Sequence, residues 1–287
     1  MFTISLILGK IQYMIRFNKF FGYLILIFIA LSMLTPFFMM LILSLSSNSD
    51  FFSVANSNNV INLTLENYNH VFSTQPILRY FFNSLTVALI TMVGQVIFSS
   101  MAGYAFARLK FRGSDLIFFL ILVTMMIPPQ VNIIPLFFIM REMHLIDSYS
   151  ALIIPGFFGG FGVFMFRQFF MNFPKDLEEA SCIDGCTPFE TFYKIALPLA
   201  LPTVVTLAIF TFITTWNSFM WPLIVTNSEN MRTLPLALAA FKGSFRETIN
   251  WGDLLSCAVI CTLPTIIIFI LGKKYFINDM FQGGVKE

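Results

Sequence analysis

The sequence predicts an all-α integral membrane protein with six transmembrane helices and both ends on the inner side (N-in/C-in). Three observations carry that prediction. The chain has 287 residues, of which 57% are hydrophobic and 11% charged, against about a quarter charged in ordinary soluble domains. Its apolar runs fall at 20–45, 81–107, 116–140, 150–166, 198–226 and 254–275, most of them near the roughly 20 residues that a helix needs to cross a bilayer. Lys and Arg also divide unevenly. Of the 17, only Arg79, Arg141, Arg232, Lys242 and Arg246 fall in segments that this topology puts outside, as the positive-inside rule requires. The 287 residues read as one transmembrane domain.

In chain order, Lys10, Arg16 and Lys19 precede the first run. That run far exceeds the roughly 7–15 apolar residues of a signal peptide, so it is expected to be an uncleaved span. An Asn/Ser-rich outer segment follows and includes the phrase Leu63-Thr64-Leu65-Glu66-Asn67-Tyr68. The second span opens with Asn83 and Ser84 and carries Gln95 midway. The third is interrupted by Pro128, Pro129, Gln130, Asn132 and Pro135, a break that membranes tolerate where backbone is buried in protein or lines a cavity. Gly156, Gly159, Gly160 and Gly162 crowd the fourth. Gly156 and Gly160 have small-xxx-small spacing, which permits close helix approach, and a flexible turn is the competing reading. The fifth span contains Trp216 and Asn217. Trp221 and Trp251 lie near outer span ends, where aromatic rings favour the interface.

Several functions are disfavoured. No Asp, Glu, Lys, Arg or His lies within the six apolar cores, so the groups that ion-coupled pumps place at membrane depth are missing. There is no G-x-x-x-x-G-K-[ST] phosphate loop. Cys182/Cys186 and Cys257/Cys261 pair at i, i+4 with no C-x-x-C, and they read as small apolar residues rather than metal ligands. A net charge of +2 gives no footprint for nucleic acid. The 37 Phe residues are scattered through every apolar run and read as lipid-facing filler or codon bias.

One acidic stretch, 172–198, interrupts this pattern between spans four and five, on the inner side. Pro174 suits a first helical position, and Asp176, Glu178 and Glu179 favour a helix N-terminus. Gly185 is placed to end that helix in the left-handed conformation. Thr187-Pro188-Phe189-Glu190 is a capping box with Pro at the first position. An apolar stripe of Phe189, Phe192, Ile195, Ala196 and Leu199 runs on from it. The expected product is a helix–glycine–helix elbow. An amphipathic helix lying on the membrane is the alternative, but such helices are rich in Lys and Arg on their polar face.

The elbow resembles the E-A-A-x-x-x-G-x9-I-x-L-P signature of permease subunits of bacterial ATP-binding-cassette sugar importers. Here it reads Glu179-Ala180-Ser181, three residues, Gly185, nine residues, Ile195, one residue, Leu197-Pro198, and only the second alanine departs. Tyr104-Ala105-Phe106-Ala107-Arg108, Trp216-Asn217-Ser218-Phe219-Met220-Trp221-Pro222-Leu223, the region from Thr233-Leu234-Pro235 to Trp251-Gly252, and Gln282-Gly283-Gly284-Val285-Lys286 are similar to the second permease of maltose-type importers. The resemblance implies the importer permease (MetI-like) fold and a multi-pass place among the lipids of the bacterial inner membrane. It implies three kinds of partner subunit: a second homologous permease, two copies of an ATPase that bind ATP and Mg, and an external solute-binding protein, with no cofactor held in this chain. It further implies that the ATPase grips a coupling helix built around Glu178, Glu179, Ala180, Ser181, Asp184, Gly185, Thr187, Pro188, Phe189, Ile195, Leu197 and Pro198. The outer loop between spans five and six is expected to reach the binding protein.

For the solute path the candidates are Asn83, Gln95, Gln130, Asn132, Trp216 and Asn217. Sugars are held by aromatic faces and by amide or hydroxyl hydrogen bonds, which makes Trp216 and Asn217 chemically suitable. Bonding between helices is the alternative role for these groups. The expected function is therefore inward transport of a sugar or oligosaccharide by alternating access, with glycerol phosphate or a polyol as the other solute class. An intramembrane enzyme would need a catalytic constellation that these spans lack, and an uncoupled channel would leave the elbow unexplained.

Overall fold

The computed structural model describes residues 2–46, 63–241 and 250–284, with side chains over 22–46, 63–239, 241 and 250–274. Lys242, Arg246 and the end of the tail from Val285 lie outside the described residues. Fourteen α-helices are described, joined by short 3-10 turns and one π turn. Among the described residues, bridge pairing is confined to Ser46 and Leu63. Four helices are long and apolar enough to cross a membrane, and two bent pairs raise the number to six if each is one span. The chain divides into two compact units, 1–71 with 243–259 and 72–242 with 260–287.

In the first unit, α1 (Phe2–Ser44) exposes an apolar surface from Tyr23 to Ile42. That surface would be costly in water and is at home in lipid. The helix leaves carbonyls unpaired at its end, and α2 (Glu66–Thr74) supplies the donors. The Asn67 amide donates to Ser44 O at 2.9 Å and to Ser46 O at 2.8 Å, and Ser256 Oγ adds a third bond to Ser44 O. The Leu63–Tyr68 phrase is thus the cap of the first helix.

The second unit is built on α3 (Ile77–Arg108). α4 (Ser114–Met125) and α5 (Ile133–Glu142) meet at 97°. The pair Pro128-Pro129 causes the bend, because proline offers no N–H and bars its predecessor from the helical region. α6 (Tyr149–Ile153) passes through a 3-10 turn into α7 (Gly160–Met171). α8 (Lys175–Ile183), α9 (Pro188–Thr191), the π turn Phe192–Ala196 and α10 (Leu197–Leu199) form the elbow. α11 (Leu201–Trp216) leaves it at a 78° bend at Ala200, so Pro198 belongs to the elbow and not to the straight part of the fifth run. α12 (Met220–Val225), α13 (Leu234–Ala240) and α14 (Trp251–Gly284) complete the chain.

α3 packs on α6, α7 and the turn between them along one face. Thr91, Gln95, Ser99 and Gly103 recur every fourth position and so share one face. Gly156, Gly159 and Gly162 sit opposite the first three, so close that a methyl on any of the glycines would overlap its partner. The glycines of the fourth run therefore serve close approach. At Gly103 an added methyl would meet the Arg167 backbone nitrogen at 2.9 Å and the Phe166 carbonyl carbon at 3.0 Å, as well as Phe166 Cβ. Backbone cannot step aside as a flexible side chain can. We therefore predict that Gly103→Ala destabilises the purified protein by about 1–3 kcal/mol, read as a lowered thermal midpoint in detergent. Gly22→Ala, where nothing lies within 4 Å, should leave the midpoint within error, and equal effects would contradict the packing argument.

Candidate functional site: an elbow and a polar cavity

The elbow is closed at both helix ends by local chemistry. α8 ends as the sequence suggests: Gly185 takes φ +80, its N–H bonds Cys182 O at 3.1 Å, and the Cys186 N–H bonds Ser181 O at 3.0 Å. This is the paired bond pattern of a Schellman stop. Pro174 is the residue before α8, one place earlier than its expected first helical position. α9 starts with the capping box: Thr187 N–H donates to Glu190 Oε2 at 2.9 Å, and Glu190 N–H donates to Thr187 Oγ1 at 3.3 Å. Lys194 and the Thr187 N–H hold the Glu190 carboxyl down to about 2.

The two arms are bolted together by a bond that the sequence did not announce. Ser181 Oγ donates to Glu178 O at 2.8 Å and lies 2.8 Å from Thr191 Oγ1, both hydroxyls being buried. A hydroxyl has one proton, so Thr191 is the donor to Ser181. The serine that replaces the second alanine of the signature thus packs and also joins α8 to α9. Of the other elbow residues, Glu178, Ile195 and Leu197 are half-buried. Glu179, Ala180, Asp184, Gly185, Thr187, Pro188, Phe189 and Pro198 are exposed. The apolar stripe is split accordingly: Phe192 and Ala196 turn inward, while Phe189 and Leu199 face out.

The inward side rests on an aromatic seat. Tyr104 lies 5.3 Å from Phe170 and 5.3 Å from Phe192 between ring centroids, and Phe166 stacks on Phe170. Phe173, Ala200 and Leu207 close the cluster. These phenylalanines are core, so the reading of Phe as lipid-facing filler fails for this cluster, while Phe28, Phe37, Phe82 and Phe119 are exposed. Arg108, at the end of α3, pairs with Glu178 at 3.1 Å without hydrogen-bond alignment and donates to Phe173 O. Burial pushes the Glu178 carboxyl above its usual range, against the pull of Arg108 and Lys175. On the outward side, Ile183 at the tip of α8 is 86% exposed, and Leu177 and Phe189 are exposed as well.

Toward the other end of α3 a cavity of about 430 Å³ is lined by Ser84, Thr91, Gln95, Thr214, Thr215, Ser218 and Thr233, with Phe158 and Trp221. A second, of about 460 Å³, is lined by Gln130, Asn132, Asn217 and Trp221. The structure distributes the six path candidates unevenly. Gln95 reaches the first cavity while accepting a bond from Thr211 Oγ1. Gln130, Asn132 and Asn217 share the second, where Asn217 Nδ2 also bonds Ile213 O at 2.8 Å. Trp216 is 1% exposed, donates its indole N–H to Cys261 O at 2.9 Å and stacks on Phe212, so it offers a sugar no face. Asn83 braces Asn230 O and Arg232 O, each at 2.8 Å, and accepts from Tyr149 Oη at 2.6 Å. It ties the segment after α12 to α3 and lines neither cavity. Trp221, Thr91 and Thr233 were missed as candidates: Trp221 reads as an interface ring, Thr233 as part of a family phrase, and Thr91 as an isolated hydroxyl in an apolar run.

Comparison with known proteins agrees with this architecture. Residues 95–281 match the family model described as binding-protein-dependent transport system inner membrane component. The arabinooligosaccharides transport system permease protein AraQ of Bacillus subtilis (strain 168) is 39% identical over 92% of this chain and 95% of its own length. The sulfoquinovosyl glycerol permease protein SmoH of Agrobacterium fabrum is 34% identical over 78% of each chain. The sn-glycerol-3-phosphate permease protein UgpE of Pectobacterium atrosepticum is 29% identical over 74% of this chain and 75% of its own. A chain in the crystal structure of a bacterial ABC transporter that imports the acidic polysaccharide alginate superposes with a TM-score of 0.81 at 22% identity, covering 91% of this chain and 97% of that one. That likeness shows a shared fold.

Two predictions follow from the elbow chemistry. Ser181→Ala should cost about 1–3 kcal/mol by leaving the buried Thr191 hydroxyl unpaired, and Ser181→Ala with Thr191→Val should recover most of the loss in a double-mutant cycle on thermal midpoints. Additive losses would show that the two hydroxyls are not coupled. Glu190 has a folded pKa of about 2 against an ordinary 4.5, so its stabilisation is complete above pH 4.5 and is lost as pH falls toward 2. The protection factor of the Thr187 amide should fall across that window, and Glu190→Gln should show the reduced protection already at neutral pH.

Proposed function

The chain belongs to the family of binding-protein-dependent transport system inner membrane components, and from that premise we propose that it is the membrane-spanning permease subunit of an ATP-driven importer for a sugar or oligosaccharide. It is a transport subunit and not itself an enzyme. Its partners are a homologous permease, an ATPase dimer that binds ATP and Mg, and an external solute-binding protein. It sits in the bacterial inner membrane as six spans in one domain, each bent pair counting as one span and both ends facing the cytoplasm.

The observation that carries this reading is the elbow. It is rigid at both helix ends, presents Ile183, Leu177 and Phe189 outward, and is rooted through Phe192 and Ala196 in the cluster that also holds α3 and α7. Such an element can fill an apolar cleft of an ATPase subunit. When ATP closes that dimer, displacement of α8 passes through Ser181–Thr191 and the aromatic seat into α3, α7 and α11. Close-packed contacts transmit displacement rather than absorb it. The spans then open outward to receive solute and return inward after hydrolysis. The named relatives support a carbohydrate cargo, and the similarity to UgpE keeps glycerol phosphate as a second reading.

Gly185 provides the test. A side chain there would meet open space, yet φ is +80, so only backbone conformation resists substitution. Gly185→Asn, which tolerates the left-handed region, should keep ATPase co-purification and uptake within about twofold. Gly185→Val should lower both at least tenfold while the permease still reaches the membrane. Ile183→Asp should also abolish co-purification by charging the exposed tip. Normal uptake by both Gly185→Val and Ile183→Asp would sink the docking role.

A further inference from the structure

We propose that the basic cavity where the end of α3 meets α4, α7 and α8 holds the phosphate of an anionic phospholipid from the inner leaflet. The proposal rests on the topology of the permease reading above, which puts this end of α3 at the cytoplasmic surface of the membrane. It adds a ligand that is neither cargo nor partner subunit.

Five cations from four parts of the chain converge there. A cavity of about 700 Å³ is lined by Arg108 at the end of α3, Lys110 and Arg112 in the turn to α4, Arg167 of α7 and Lys175 at the start of α8. Three carboxylates share the lining, Asp115, Glu178 and Glu179, so the cations outnumber them by two. Among the described residues only Arg108 of the five forms an ion pair, with Glu178. Arg167 is half-buried and positioned without a carboxylate: its guanidinium lies 4.0 Å over the Phe118 ring, and its Nε–H donates to Phe106 O at 3.4 Å. Lys110, Arg112 and Lys175 are exposed. Like charges gathered around one concavity repel one another, and an anion placed among them removes that cost. Guanidinium groups bind phosphate oxygens through paired hydrogen bonds, and lysines add point charge.

The surroundings then say which kind of phosphate. Leu109 and Phe111, which alternate with the cations, are 42% and 40% exposed, and α4 leaves the edge of the cavity with Phe118 as its one buried residue. Leu116, Phe119 and Leu120 are all exposed along it. A bound anion therefore has bare apolar surface beside it, which acyl chains would cover and a free phosphate would not. Basic pockets between spans on the cytoplasmic side are suited to anionic headgroups for the same reason. An acidic surface of the ATPase is the competing occupant. A protein surface broad enough to reach these cations would also face the exposed carboxylates Asp176, Glu179 and Asp184 of the α8 arm, whereas a single headgroup can enter the cavity alone.

The test uses the complete complex of this chain with its partner permease and ATPase, delipidated in detergent. It is titrated with phosphatidylglycerol, and bound lipids are counted by native mass spectrometry. Phosphatidylcholine and an excess of inorganic phosphate are the competitors. Lys110→Gln combined with Arg112→Gln removes two exposed charges that have no ion pair among the described residues. This variant should hold one tightly bound phosphatidylglycerol fewer than the parent, the affinity of that lipid having fallen at least about tenfold, as two near-surface cations imply. Lys273→Gln combined with Lys274→Gln also removes two inner-side charges, but neither residue lines the cavity, so it should bind as the parent does. Neither competitor should displace the lipid. Parent-like binding by the cavity variant would overturn the site and would be the result if the ATPase covered it. An equal loss in the control would reduce the effect to general surface charge, and displacement by inorganic phosphate would make free phosphate the ligand; each also overturns the proposal. Failure of the permease reading looks different, because the chain would then recover no ATPase at all.

Discussion

The close approach of α3 to α7 and the turn before it is the contact on which the rest of the second unit depends. Thr91, Ser99 and Gly103 leave little bulk on one face of α3, and Gly156, Gly159 and Gly162 leave none opposite, Gly159 making room for Gln95. In lipid there is no hydrophobic drive between apolar helices, so association rests on van der Waals packing, which small residues maximise. The same helix carries both functional regions. Thr91 and Gln95 open into the polar cavity, and four turns further on Tyr104 and Arg108 hold the elbow. At 1.5 Å per residue the two regions are about 20 Å apart along one helix. A push at the elbow and a change of shape at the cavity therefore share one lever.

The elbow shows how a motion can enter that lever without being dissipated. Its arms are short and each is closed by its own backbone bonds, so neither depends on the other to stay helical. Ser181 and Thr191 then fix the angle between them. Phenylalanine does the remaining work: Phe166, Phe170, Phe173 and Phe192 make a dense seat with Tyr104. Arg108 and Glu178 add charge at the rim of that seat. Burial outweighs the pull of Arg108 on the Glu178 carboxyl, which makes the pair more a positional constraint than a source of stability.

Local features were readable in the sequence because their causes are local. Gly185, Thr187 and Glu190 specify a stop and a start within a few residues, and Pro128-Pro129 specifies the 97° bend. The path residues were less legible. Trp216 and Asn217 have the chemistry of a sugar site, but chemistry does not say where a side chain points. Trp216 turned into the core against Phe81 and Phe212, and Asn83 was committed to the loop after α12. Conversely, Thr91 and Thr233 are 142 positions apart in the numbering and come to line one cavity only through the fold. A four-residue stripe of Thr91, Gln95, Ser99 and Gly103 was the available sign, and it needed the partner glycines to be interpreted. The signature's one departure, Ser181, likewise gained its role only from Thr191 across the turn.

The central claim is that the tip of α8 faces the cytoplasm and is covered by an ATPase. The most direct measurement is labelling of Ile183→Cys, in a background where Cys182, Cys186, Cys257 and Cys261 are Ser, with a membrane-impermeant maleimide. The account predicts labelling in inside-out vesicles stripped of the ATPase, none in right-side-out vesicles, and protection when the ATPase is added back. Labelling from the outer face, or labelling that the ATPase does not reduce, would contradict it.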